Sequence, residues 1–260
     1  MTEAFSEKTV LVTGGAGHIG RAICELFLSY GANVVACGRR SPEKPIVAGG
    51  REALFVSADI RDPEQSQRVV DAAIDAFGGL DILVNNAGGS PPVTAAEASP
   101  RLTEKIINLN LTAPMVLSQQ AYSALSQGDQ AGVIINIASV SGARPSPGTA
   151  AYGAAKAGLL SATKSLAMEW GPLVRVNALI VGLVRNDAGV EHYGGEEGFS
   201  RVAEMLPLGR MAEPSDIANA ALMLCSEHAA YISGATLEVD GGGEVPVFLH
   251  LADRAGKSAE

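Results

Sequence analysis

Between the short apolar run Thr9 to Thr13 (TVLVT) and a helical pattern carried by Ala22, Ile23, Leu26 and Phe27 lies the turn Gly14-Gly15-Ala16-Gly17-His18-Ile19-Gly20. The β-branched run reads as a short buried strand. A turn so poor in side chains sends that strand directly into a helix whose first N–H groups stay open. The helix N-terminus supplies donors and a positive dipole end, and glycines let the backbone approach a diphosphate. No Lys-Ser/Thr closes the motif, which argues against a nucleoside-triphosphate loop. The stretch therefore points to an α/β chain that holds a dinucleotide.

Composition agrees with one such unit. The chain has 260 residues, 47% hydrophobic and 18% charged, enough for one sizeable core, so residues 1–260 read as a single domain. A formal charge of −9 with no clustered Lys/Arg run argues against nucleic acid or an anionic membrane surface as partner. Cys24, Cys37 and Cys225 are odd in number and set among apolar residues, the pattern of reduced core thiols in a cytoplasmic protein. No metal-ligand spacing occurs. MTEAFSEK lacks the marks of a signal peptide, and no apolar run reaches the ~18 residues of a membrane span.

The chemistry concentrates between Val133 and Trp170. An apolar strand pattern ends at Ser139, a Gly/Pro-rich loop follows, and a helical pattern then places Tyr152 and Lys156 four residues apart on one face. Ser139 and the pair can converge on one point. A phenol titrates near ~10 and a lysine near ~10.4 in water, so a fixed ammonium beside the ring favours phenolate and lowers the tyrosine's pKa. Such a trio suits proton transfer to or from an oxygen, with Ser139 donating to the same oxygen. Small residues fill Tyr152-Gly153-Ala154-Ala155-Lys156-Ala157-Gly158 wherever a neighbour must come close.

Together with the glycine turn, these residues resemble the short-chain dehydrogenase/reductase family, in its shorter branch, from about Lys8 to Gly243. The family's catalytic serine precedes its tyrosine by thirteen residues, as Ser139 precedes Tyr152. The resemblance implies a Rossmann-type, doubly wound parallel sheet with helices on both faces. It implies Asn110, within Asn110-Leu111-Thr112-Ala113-Pro114, as a fourth catalytic residue linking Lys156 to solvent through water. Leu102 to Ala124 reads as one helix interrupted at that point by Pro114. The family's second signature is Asn85-Asn86-Ala87-Gly88, where Asn85 reads as structural and Asn86, Ala87 and Gly88 as lining the cofactor pocket. The cofactor contacts implied are Gly14, Gly17, His18, Ile19 and Gly20 at the diphosphate, and Asp59 and Ile60 at the adenine. Tyr152, Lys156, Gly182 and Val184 are implied on the nicotinamide side.

Several positions depart from the family pattern. His18 stands where the short branch usually has glycine. After the strand Ala32 to Cys37, the place of the ribose-binding acid is taken by Gly38, followed by Arg39 and Arg40. A basic side chain there accommodates a 2′-phosphate, which favours NADP(H) over NAD(H), with Arg39 pairing the phosphate through its donor fork. Between Ser41 and Arg51 two prolines and two glycines leave no helical period, so the helix expected there is shortened or missing. Val181-Gly182 replaces the usual Pro-Gly, and Asn186 stands at the place of a nicotinamide-binding threonine.

Residues 185–207 resemble the family's substrate lid, a length of loop that usually binds or covers something. Ser215 reads as the N-cap of the last helix. Gly234 to Asp240 is the final strand, ending at Gly241-Gly242-Gly243. The extension 244–260 opens with the apolar run Val245 to Leu251, suited to a subunit interface or a substrate pocket. The resulting expectation is an NADP(H)-dependent oxidoreductase acting on a small carbonyl or secondary alcohol, a homotetramer by family analogy. A non-catalytic dinucleotide-binding regulator and a cofactor-retaining epimerase or dehydratase are the alternatives.

Overall fold

The computed structural model describes residues 5–128, 130–185 and 193–246. Strand β1 (Thr9–Thr13) is buried along its whole length, and helix α1 (His18–Ser29) begins at once after the glycine turn. β2 (Asn33–Gly38) returns parallel to β1, with Val10 beside Val34. The helix expected next is absent. A two-residue hairpin, β3 (Val47–Ala48) and β4 (Arg51–Glu52), replaces it and turns on Gly49 and Gly50 at φ +57° and +74°. Positive φ at both turn residues is the geometry a tight hairpin needs. Arg21 holds this loop against α1 by donating to the carbonyl oxygens of Lys44 and Pro45 at 2.6 and 3.3 Å.

The chain continues through β5 (Leu54–Ser57), α2 (Pro63–Phe77), β6 (Ile82–Asn85), α3 (Pro100–Ile107) and a wide π-turn over Asn108–Thr112. It then runs through α4 (Ala113–Leu125), β7 (Gly132–Ile137), α5 (Ala150–Trp170) and β8 (Val174–Val181). The last elements are α6 (Glu196–Ala203), α7 (Pro214–Cys225) and β9 (Thr236–Val239). The break in the long helix thus falls where Pro114 predicts it, because proline cannot donate into the preceding turn. α7 is capped by Glu213 rather than by Ser215: Pro214 takes the first helical position, and the Asp216 carboxylate accepts the Glu213 N–H at 2.8 Å.

The seven-stranded sheet has the order β5-β2-β1-β6-β7-β8-β9, with every neighbouring pair parallel. Alternation along β1 divides the core. Val10 and Val12 face α1 and α7 with Ile23, Phe27, Ile217 and Leu224, while Leu11 faces α2 and α4 with Val69, Leu83, Leu117 and Ile134. From β1 the sheet grows toward β2 on one side and toward β6 on the other. A crevice must open at that reversal, beyond the strand C-termini. No described helix is long and apolar enough to cross a membrane.

Candidate active site

A cleft of ≈ 550 Å³ opens at this reversal. It is lined by Gly14, Gly17, His18, Ile19 and Gly20 from the first turn, Arg39 and Arg40 after β2, and Asp59 and Ile60 after β5. Asn86, Ala87 and Gly88 after β6 and Val184 after β8 line it too, whereas Tyr152, Lys156 and Gly182, also expected on the nicotinamide side, are not among the residues that line it. Cys37, Gly38, Ala58, Leu109 and Arg185 line it as well.

The glycines of the turn divide their work. Gly14 sits at φ +65°, and a Cβ on Gly20 would fall 2.2 Å from the Gly14 carbonyl oxygen. A Cβ on Gly15 would press to 2.7 Å from that of Ala36. These three are required by the protein's own packing. Gly17 is not: its nearest neighbour would be 3.4 Å away, and the open space there belongs to the cleft at the start of α1. That is the room a diphosphate needs over open N–H groups, so the residues present fit a dinucleotide. Thr13, which the sequence showed only as the end of a strand, fixes the opposite wall. Its buried hydroxyl accepts the N–H groups of Asn86 and Ala87, each at 2.9 Å.

At the adenosine end Arg39 and Arg40 are exposed and project from the end of β2. Asp59 is already engaged: Arg61 grips its carboxylate from Nε at 2.9 Å and from Nη2 at 2.5 Å. This side-chain hydrogen bonding holds the Asp59 carboxyl below its ordinary pKa. Its side chain therefore meets the cleft as half of an ion pair.

The four expected catalytic residues gather near the Gly88 end. Asn110 lies in the π-turn with its side chain fully buried, donating to the carbonyls of Ile106 and Gly89 and accepting the Gly89 N–H, all at 2.9 Å. A Cβ on Gly88 would lie 2.7 Å from Asn110 Oδ1 and 3.2 Å from Lys156 Nζ, so this glycine separates the cleft from both groups. Lys156 is buried, donates to the Ile137 carbonyl at 2.7 Å, and stands 5.6 Å from the centre of the Tyr152 ring. Burial lowers the ammonium to about 8. Ser139 Oγ accepts the Ser141 N–H at 3.2 Å and acts on the Tyr152 phenol, drawing its pKa down.

One electrostatic expectation is corrected. Burial raises the Tyr152 pKa above its ordinary value, and the Ser139 hydrogen bond acts against this, so the phenol is held as the acid. Desolvation disfavours the charged form of both groups, raising the phenol and lowering the ammonium beside it.

Two glycines lock the serine loop to the tyrosine helix. A Cβ on Gly142 would come 2.8 Å from both Lys156 C and Ala157 N, and one on Gly153 would come 2.7 Å from the Ser141 carbonyl oxygen. The loop thus rests directly on α5 beside Tyr152 and Lys156. Gly153 belongs to the small-residue run of the sequence, whereas Gly142 looked like ordinary loop. Gly182 borders a separate recess of ≈ 190 Å³ next to Val140; a Cβ there would strike Asp240 Cα at 2.7 Å, just past β9. Val140, Arg144, Leu206, Asp240 and Glu244 also line this recess, and Arg144 forms an ion pair with Glu244.

Part of the 185–207 segment is α6, whose Phe199 and Ala203 pack with Leu206 and Met211. Asn186 and residues 247–260 of the extension lie outside the described residues. No group of acidic, histidine and cysteine side chains suited to a metal ion occurs among the described residues.

Residues 14–244 match the family model described as "Enoyl-(Acyl carrier protein) reductase". The 3beta-hydroxysteroid dehydrogenase 1 of Eggerthella lenta is 35% identical over 249 residues, 93% of this chain and 95% of that protein. The L-rhamnose 1-dehydrogenase (NAD(P)(+)) of Azotobacter vinelandii is 35% identical over 246 residues, 91% and 96% of the two chains. Among solved structures, the ligand-free aldohexose dehydrogenase of Thermoplasma acidophilum superposes with a TM-score of 0.85 at 28% identity, covering 93% of this chain and 95% of its own.

Proposed function

This chain belongs to the short-chain dehydrogenase/reductase family and is an oxidoreductase of CH–OH groups, and from that premise we propose that it exchanges hydride between NADP(H) and a carbonyl or secondary alcohol, with Tyr152 as general acid/base. The observation that carries this reading is the buried Lys156 ammonium 5.6 Å from the centre of the Tyr152 ring, one glycine away from the dinucleotide cleft.

When bound, the nicotinamide supplies or takes up the hydride. Gly17 and the start of α1 hold the diphosphate, and Arg39 with Arg40 meets the adenosine 2′-phosphate. Tyr152 gives its proton to the substrate oxygen during reduction and removes it during oxidation. A phenol kept neutral by burial is poised for the first of these directions. Ser139 steadies the same oxygen by donating its hydroxyl proton, while its Oγ accepts the Ser141 N–H. Lys156, with one donor committed to Ile137, turns the others toward Tyr152 and the coenzyme ribose. Asn110 orders the water through which the proton is replaced. The Arg144-bordered recess beyond Ser139 takes the rest of the substrate.

A homotetramer follows from family analogy, and three buried free cysteines support a reducing, cytoplasmic setting. The test is oxidation of NADPH, followed by absorbance, against a panel of ketones, keto-esters and aldoses. Tyr152→Phe removes an acid/base worth about 10²–10⁴ in rate, and coenzyme affinity should stay unchanged. Full activity in this variant would refute the role, and wild type inert toward every carbonyl would favour an epimerase or a regulator.

A further inference from the structure

We propose that Arg185 is a coenzyme-binding residue that grips the phosphate on the nicotinamide side and exchanges for it a resting partner on α6. The inference rests on the reading of this cleft as a dinucleotide site.

Arg185 follows β8, so it borders the cleft from the side opposite Arg39 and Arg40, which follow β2. Its backbone is fixed: the Arg185 N–H donates to the Ala212 carbonyl at 2.8 Å, next to a parallel bridge between Val184 and Ala212. The side chain is held far less firmly. Its Nη2 lies 2.9 Å from Glu196 Oε1, and its guanidinium covers the Phe199 ring at 4.9 Å. Side-chain exposures of 43% for Arg185 and 67% for Glu196 make this an ion pair that solvent screens well.

Glu196 also has a second stabiliser. It stands in the first turn of α6, where the helix dipole favours a carboxylate, so releasing its arginine costs little. A phosphate in the cleft offers the same planar guanidinium two acceptor oxygens in a less screened place. The anchored backbone means that only side-chain torsions need to change. In leaving, Arg185 uncovers Phe199, which is buried in the small cluster with Ala203, Leu206 and Met211. Coenzyme occupancy is thereby linked to the packing of α6.

The experiment measures dissociation constants by calorimetry for wild type and Arg185→Gln. One ligand is whichever of NADPH and NADH binds wild type more tightly. The other is its adenosine fragment, 2′,5′-ADP or 5′-AMP, which carries the adenosine-side phosphate only. The variant should bind the dinucleotide about tenfold more weakly and the fragment within about twofold of wild type, since one charge-assisted bidentate contact is lost. Hydrogen exchange in Glu196–Ala203 should respond to dinucleotide in wild type and not in the variant. Should Arg185→Gln fail to fold, Arg185→Lys keeps the charge without the fork and should lose about threefold on the dinucleotide alone. Unchanged dinucleotide affinity, or equal weakening of both ligands, overturns the assignment of Arg185. A wild type that binds no dinucleotide overturns the cleft reading itself, and the assignment with it.

Discussion

Lys156 illustrates how a single side chain sets both chemistry and stability. Its ammonium is buried and lowered to about 8, whereas an unfolded chain would hold that proton until ~10.4. Between those values the unfolded state binds more protons, so this group's contribution to stability rises as pH climbs from about 8 to ~10.4. Urea unfolding of wild type and Lys156→Met at pH 7.5 and pH 10 should show wild type gaining on the variant at the higher pH; a constant difference would contradict the burial. At the other end of the cleft the proposed role of Arg39, charge pairing with a 2′-phosphate, has its own test. Arg39→Asp should shift the NADPH/NADH ratio of kcat/KM toward NADH by about tenfold or more, because a charge-assisted phosphate contact becomes a repulsion. An unchanged ratio would remove Arg39 from the coenzyme site. Both residues are visible in sequence as residue types, but the phenol's raised pKa is not: desolvation depends on what surrounds a group in space.

At the scale of elements, the catalytic arrangement depends on how two segments rest on each other. The turn Ser139 to Gly142 lies on α5 with glycine backbone against helix backbone, and no side chain separates them. Gly142→Ala must push the serine loop off Lys156 and Ala157. Kinetics should then show kcat reduced about 10- to 100-fold, the penalty of misplacing a reacting group by about 1 Å, with coenzyme affinity nearly unchanged. Equal losses in kcat and coenzyme binding would point to general unfolding instead. The π-turn at Asn108–Thr112 has the same logic. Pro114 interrupts the helix, the widened turn buries Asn110, and three hydrogen bonds fix its amide beside Gly88. Proline announces this break in the sequence. The pairing of Gly142 with α5 has no local signal, since a glycine in a Gly/Pro-rich loop looks the same whether it touches water or a helix.

For the molecule as a whole, the order β5-β2-β1-β6-β7-β8-β9 brings turns from distant parts of the chain to one rim. The same rim receives the start of the C-terminal segment, where Glu244 pairs with Arg144 of the serine loop and the Val245 N–H reaches the Met205 carbonyl at 3.4 Å. Glu244→Gln should raise KM for the carbonyl substrate by about two- to fivefold, the range of a partly exposed ion pair, and leave coenzyme affinity alone. No change in KM would show that the recess is not where substrate lies. Read alone, the sequence determined the α/β class, the glycine turn, the Ser139/Tyr152/Lys156 spacing and a helix shortened or missing after β2. Each of these is written in local terms: a period of apolar residues, a run of glycines, a spacing along one helix, a proline. Tertiary structure alone decided that Gly182 packs against Asp240, that Asp59 is tied to Arg61, that Thr13 holds the Asn86 turn and that Arg185 borders the cleft. These are meetings of residues far apart in the chain or turns of a side chain toward one neighbour rather than another, and such choices are made only when the whole core closes.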